Sequence, residues 1–223
     1  MNFKLIDSVK DPYYQQALTL YDSKLGLKLQ EDAHIFKRSL ENNKTENDYS
    51  FIVGLNEHQQ VVSMATAHYE ATTNSAFLIY LLAQDGPEHD NILDETLTHI
   101  EAQINSLSNK VHNRNVNFIM LEVPQTTPKE FDAQKDILHS RRQFLYEHQF
   151  EKQTDIRYLH PNNTPGNSAS DVDLFIKPYI KLSKDVFPAS VKSNYILKYV
   201  FANGISRDII YPLLVKMNLR RPF

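Results

Sequence analysis

The sequence predicts a mixed α/β fold, with a mostly antiparallel central sheet flanked by helices and a C-terminal helical extension. Three observations lead there. Segments of strand and helix character follow the order β-α-α-β-β-β-α-β-α-β-β and then helices, with hairpin-like neighbours that suit an antiparallel sheet. The stretches "AFLIYLLA" at 76–83 and "VNFIMLEVP" at 116–124 are almost continuously apolar, as strands covered on both faces are. Finally, 223 residues that are 41% hydrophobic and 23% charged can bury a sizeable core. The predicted division is a domain over 1–178 and an extension over 179–223.

Each element has its own signal. "FKLI" at 3–6 reads as a short strand. "DPYYQQALTLYDSKLGL" places Pro12 early in a helix, repeats apolar residues every three to four positions, and stops at Gly26. "EDAHIFKRSLEN" is a second helix, and the polar "NKTENDYS" is a loop. "FIVGL" and "VVSMATAHY" flank "NEHQQ" as a hairpin, and "SAFLIYLLA" follows as a central strand. Residues 90–107 form a helix with Ile92, Leu93, Leu97, Ile100 and Ile104 on one face. After the strand that ends at Pro124 comes a polar connection over 125–136, then a helix over 137–148. "TDIRYL" and "DVDLFIK" read as strands joined by the Pro-, Asn- and Gly-bearing loop "HPNNTPGNSAS". Two helices, roughly 189–202 and 205–218, complete the chain.

Composition removes several chemistries. Without cysteine there are no disulfides, thiolate nucleophiles or Cys-ligated metals. The nine histidines lack HExxH or HxxxH spacing, so no metal site is predicted. Neither a G-x-S-x-G elbow nor a Gly-rich nucleotide loop occurs. The opening "MNFKLIDSVKDPYY" has no apolar h-region, and no apolar run approaches the ~20 residues that cross a bilayer. The expected location is therefore the cytoplasm, with no membrane partner. Charge is uneven beneath a net −3: from Thr45 to Asn109 there are ten acids and no Lys or Arg, whereas 179–223 holds eight basic residues against Asp185 and Asp208. These are two solvated faces, or surfaces that meet each other or charged partners. The basic "LRRPF" end reads as a solvated tail rather than a nucleic-acid contact.

The element order, with "FIVGL…VVSMATAHY", "AFLIYLLA", "VNFIMLEVP" and "RRQFLYEHQF", resembles the GNAT N-acetyltransferase superfamily over residues 3–178. The resemblance implies acetyl-CoA as co-substrate and an amine, small molecule or peptide, as acceptor. The acidic 45–109 region would favour a cationic one. In that family a Q/R-x-x-G-x-G/A loop after the fourth strand cradles the CoA pyrophosphate on backbone N–H groups at a helix start. Here the implied cofactor site comprises Leu82, Ala83, Glu88, His89, Asp90, Asn91, Ile92 and Leu93. Glu88 stands on the Gln/Arg position, Asn91 on the first Gly and Leu93 on the Gly/Ala. With Asp85, Glu88 and Asp90 crowded there and no basic residue expected nearby, acetyl-CoA is expected to bind weakly if at all.

The family's "FYEKxGF" helix end aligns with "FLYEHQF", which puts Leu145 where the acid tyrosine stands, Tyr146 one place later and Gln149 on the Gly. Tyr146 is thus the implied proton donor to the departing thiolate, provided an irregular helix turns it inward by about 100°. Otherwise it is a packing tyrosine. Glu122, the lone acid of its strand, is the implied base, its pKa raised toward neutrality by burial; the alternative is a structural pairing with Arg141 or Arg142, or a simply solvated carboxylate. Two functions remain open: an acyl-CoA-dependent N-acyltransferase, or a non-catalytic module of the same fold that binds a ligand or a protein. The extension carries enough apolar surface to pack on its own chain or to build a homodimer.

Overall fold

The computed structural model describes residues 1–24, 33–42, 48–126, 132–162, 169–181, 183 and 185–221. It is mixed α/β, its strands mostly antiparallel and flanked by helices. The chain divides into two compact units, Met1–Val116 and Asn117–Phe223.

The first unit holds β1 (Asn2–Leu5), α1 (Tyr14–Ser23), α2 (His34–Leu40), β2 (Tyr49–Leu55), β3 (Val61–Glu70), β4 (Ser75–Ala83) and α3 (His89–His112). Its strands pair antiparallel in the order β1-β2-β3-β4. "NEHQQ" forms the predicted hairpin turn: the Asn56 side chain accepts from the backbone N–H of His58 and Gln60, and Gln59 takes φ 58°. Two bulges break the register, one at Gly54/Leu55 and one that leaves Ile79 unopposed between Leu78 and Tyr80. Gly54 is needed at the first, because a Cβ there would meet Ser63 Oγ at 2.3 Å.

On one face of this sheet, Tyr14, Ala17 and Tyr21 of α1 and Phe36 of α2 pack with Phe51, Val53, Leu55, Met64, Tyr80 and Leu82. Helix α3 buries Leu93, Leu97, Ile100 and Ile104 as its periodicity predicts, with Ile92 half-buried. It outruns the predicted end at 107 because its last turn buries no apolar residue that would mark it, and Val111 there is exposed. Asn113, in the left-handed conformation, ends it. Gly26, the expected stop of the first helix, lies outside the described residues.

The second unit holds β5 (Phe118–Pro124), α4 (Asp132–Glu147), β6 (Glu151–Lys152), β7 (Leu159–His160), β8 (Ser170–Pro178), α5 (Val186–Ile196), a π-helical turn (Leu197–Ala202) and α6 (Arg207–Lys216). Strand β8 pairs antiparallel with β5, β6 and β7. "TDIRYL" is not the continuous strand expected. Lys152 pairs with Phe175 and Leu159 with Asp171, so six residues, 153–158, stand opposite three, 172–174. The surplus bows out of the ladder and turns Ile156 and Tyr158 into the core. Helix α4 begins five residues before the predicted 137, since its first turns are polar and carry no apolar repeat.

In the β5–β8 register, Glu122 faces Leu174 and Val123 faces Asp173. Directly opposed residues share a face and successive ones alternate, so Glu122 and Asp173 lie on opposite faces of the strand pair. On the Asp173 face, α4 sets Arg142 against Asp173 and Tyr146 against Phe175. On the Glu122 face lie the C-terminal helices: Phe187 packs on Phe118, and Tyr195 donates to the Leu159 carbonyl at 2.8 Å. The predicted boundary at 178/179 thus falls inside this unit, with 186–219 contributing Tyr195, Tyr199, Ile210 and Leu214 to its core.

Candidate active site

All seven residues of β5 are buried, and Glu122 is its only ionisable side chain. A carboxylate there needs partners, since leaving it ionised without them costs several kcal/mol. They arrive from far along the chain. Strand β7 brings His160, whose Nδ1 lies 2.9 Å from Glu122 Oε2. The π-helical turn brings two consecutive residues: the Tyr199 hydroxyl donates a short hydrogen bond to Oε1, and Lys198 Nζ stands 3.5 Å from Oε2 and 3.1 Å from the Tyr199 oxygen. Tyr199 oxygen and His160 Nδ1 are 2.9 Å apart. A single π turn inside a helix often marks a functional site, and here it supplies two side chains to one carboxylate.

Proton accounting assigns the imidazole tautomer. The single Tyr199 proton goes to Oε1, so both neighbours of His160 Nδ1, the Tyr199 oxygen and Oε2, are acceptors. Nδ1 therefore carries hydrogen, and in the neutral ring Nε2 keeps the lone pair. His160 is also the most exposed of the four, its side chain 13% accessible against 3% for Glu122 and 5% for Lys198.

The electrostatics differ from expectation. Burial raises the Glu122 pKa, but Lys198, His160 and the hydrogen bonds from His160 and Tyr199 outweigh it and hold the carboxyl at about 2. Glu122 is thus a fixed anion rather than a base tuned toward neutrality. Its cation is Lys198, while Arg142, one of the expected partners, bonds to Asp173 and the Pro124 carbonyl. Burial and the Glu122 charge push the hydroxyls of Tyr158 and Tyr195 upward, so both stay protonated. The Tyr158 hydroxyl is buried beside Glu122 and Tyr199.

The other predicted residues lie elsewhere. Tyr146 is half-exposed on a continuous α-helix, its ring edge-on to Phe175 at 5.4 Å, with no irregularity turning it inward. Gln149 takes φ 67° and closes a Schellman motif, with Phe150 N–H to the Leu145 carbonyl and Gln149 N–H to that of Tyr146. In the first unit, Leu82 and Ala83 end β4 as buried residues, and Glu88 is the N-cap of α3, with His89, Asp90, Asn91, Ile92 and Leu93 after it. No side chain caps this helix; His89 bonds to Asp90 and Asn91 to Glu88 instead. The loop also has a cation that sequence distance concealed: Lys24 Nζ lies 2.5 Å from Asp85, whose pKa is lowered chiefly by that bond.

Among the described residues no group of three or more His, Cys, Asp or Glu is placed to hold a metal, and no helix is long and apolar enough to cross a membrane. No protein-family model matches the sequence, and no curated protein matches it. Solved structures do match. One from Bacteroides thetaiotaomicron, described as an acetyltransferase of the GNAT family, has a TM-score of 0.60 at 15% identity, over 91% of this chain and 99% of its own. The aminoglycoside 6′-N-acetyltransferase from Enterococcus faecium has a TM-score of 0.53 at 12% identity, over 82% of this chain and 100% of its own. An aminoglycoside 6′-N-acetyltransferase complexed with coenzyme A has a TM-score of 0.54 at 12% identity and the same coverage. At such identities the likeness is one of fold.

Proposed function

We propose that this chain, whose fold is that of the GNAT acetyltransferases, transfers an acyl group from an acyl-CoA to an amine. The observation that carries the reading is the pairing of buried Glu122 with His160. A carboxylate fixed on Nδ1 orients the ring and stabilises the imidazolium that forms when Nε2 takes a proton. His160 would accept the proton of the attacking amine at Nε2, directly or through water, as the amine nitrogen bonds to the thioester carbonyl carbon. The C–S bond then breaks, and the leaving thiolate takes a proton from solvent. Glu122 acts through His160 as a positioning residue.

For the CoA pyrophosphate the proposed cradle is the start of α3, Glu88 to Leu93, beside Leu82 and Ala83. Its helix dipole and uncapped first turn favour an anion, while Glu88 and Asp90 oppose one. Those acids favour a second reading, a module of this fold that binds a ligand without turning it over.

The deciding experiment is thiol release from acetyl-CoA and longer acyl-CoAs with polyamines and peptide amines as acceptors. Turnover in the wild type, lowered 10²–10⁴-fold in kcat by His160→Gln with KM for the donor little changed, is the expected result. Stabilisation by acyl-CoA, about 2.7 kcal/mol at 100 times Kd, without thiol release from any pairing, would replace catalysis with the binding module.

A further inference from the structure

The opposite face of the β5–β8 pair holds a separate polar cavity. Its volume is about 430 Å³, and Gln125, Thr126, His139, Arg142, Lys152 and Asp173 line it. Every described lining side chain is polar, and two cations and a histidine surround one carboxylate. That carboxylate is already engaged: Asp173 Oδ1 takes Lys152 Nζ at 2.9 Å and Gln125 Nε2 at 3.1 Å, and Oδ2 takes Arg142 at 3.2 Å. Asp173 has a side chain only 6% accessible, whereas Lys152 reaches 42%. The acid sits at the floor and the cations rise toward the opening.

Donors remain after these bonds. Arg142 uses one Nη1 hydrogen on the Leu138 carbonyl and both Nη2 hydrogens on the Pro124 carbonyl and Asp173. Of the five guanidinium donors this leaves Nε–H and one on Nη1. Lys152 spends one of three on Asp173. The Thr126 hydroxyl, the second Gln125 amide hydrogen and the His139 ring add to these donors. Asp173 and the Pro124 carbonyl hold the guanidinium in place, so little side-chain freedom is lost when a ligand arrives.

We propose that this cavity binds the oxyanion group of a small molecule, a phosphate or a carboxylate, on Arg142 and Lys152. Glu122 lies on the other face of the strand pair, so the site is independent of the acyl-transfer reading. Inorganic phosphate and succinate serve as probes, titrated calorimetrically into the whole chain at constant ionic strength set with sodium chloride. One-site binding of either probe is expected, weakened about tenfold or more by Lys152→Gln and by His139→Gln, two accessible positions whose replacement leaves the Arg142–Asp173 contact intact. Stronger binding of phosphate assigns a tetrahedral group, and stronger binding of succinate a planar one. Heats from both probes no larger than those of chloride, or unchanged affinity in both variants, would overturn the proposal.

Discussion

Two buried carboxylates lie on opposite faces of one strand pair and meet different fates. Glu122 is closed in by Lys198, Tyr199 and His160, with Lys198 only 5% accessible. Asp173 is as buried, but its cations lead outward, Arg142 at 18% and Lys152 at 42%. A carboxylate whose counter-ions are sealed fixes structure and orients a neighbour. One whose counter-ions reach water holds a surface ready for a ligand. The fold makes the difference by covering one face with the C-terminal helices and packing α4 on the other.

The largest effect that sharpens this contrast is on stability. Lys198→Met or Glu122→Gln leaves a charged group without its partner in the interior, which costs about 3–5 kcal/mol. Asp173→Asn leaves Arg142 and Lys152 with access to water, and its cost should be roughly half as large. In chemical denaturation the Glu122→Gln/Lys198→Met double variant should lose much less than the sum of its singles. Additive losses would show that the two charges do not act as a pair.

Acid separates the faces next. The Glu122 carboxyl is held at about 2 against an ordinary value of 4.5. Because its folded pKa is depressed, the stabilisation is complete above pH 4.5 and disappears as pH falls toward 2, amounting to about 3 kcal/mol. Glu122→Gln should flatten that part of the stability-against-pH curve, measured by urea unfolding between pH 5 and 2.5. An unchanged slope would place the acid sensitivity elsewhere in the molecule.

These features differ in how far the sequence discloses them. Glu122 stands out as the one acid in an apolar strand, and the long α3 face is written in its repeat. The partners do not stand out, because His160 is 38 residues away and Tyr199 is 77. The available signal was Lys198, a lone cation within the apolar "YILKYV", which needed a buried anion as its counterpart. The Lys24–Asp85 contact spans 61 residues and was hidden for the same reason. Bulges and the π turn, which aim these side chains, are departures from periodicity and leave no periodic trace.

The smallest expected effect concerns the end of α4, where backbone geometry rather than side-chain chemistry sets the residue. Gln149 takes φ 67° in the Schellman turn that leads into Phe150. For an L-residue with a Cβ that region costs roughly 1–2 kcal/mol, a penalty glycine escapes. Glycine in turn adds freedom to the unfolded chain, which offsets part of the gain. Gln149→Gly should therefore raise stability by about 0.5–1 kcal/mol and leave the Glu122 cluster untouched, since that cluster lies on the opposite face of β8 from α4. Thermal unfolding would read the gain as a small rise in Tm. A fall in Tm would mean that the Gln149 side chain contributes a contact worth more than the strain of its backbone.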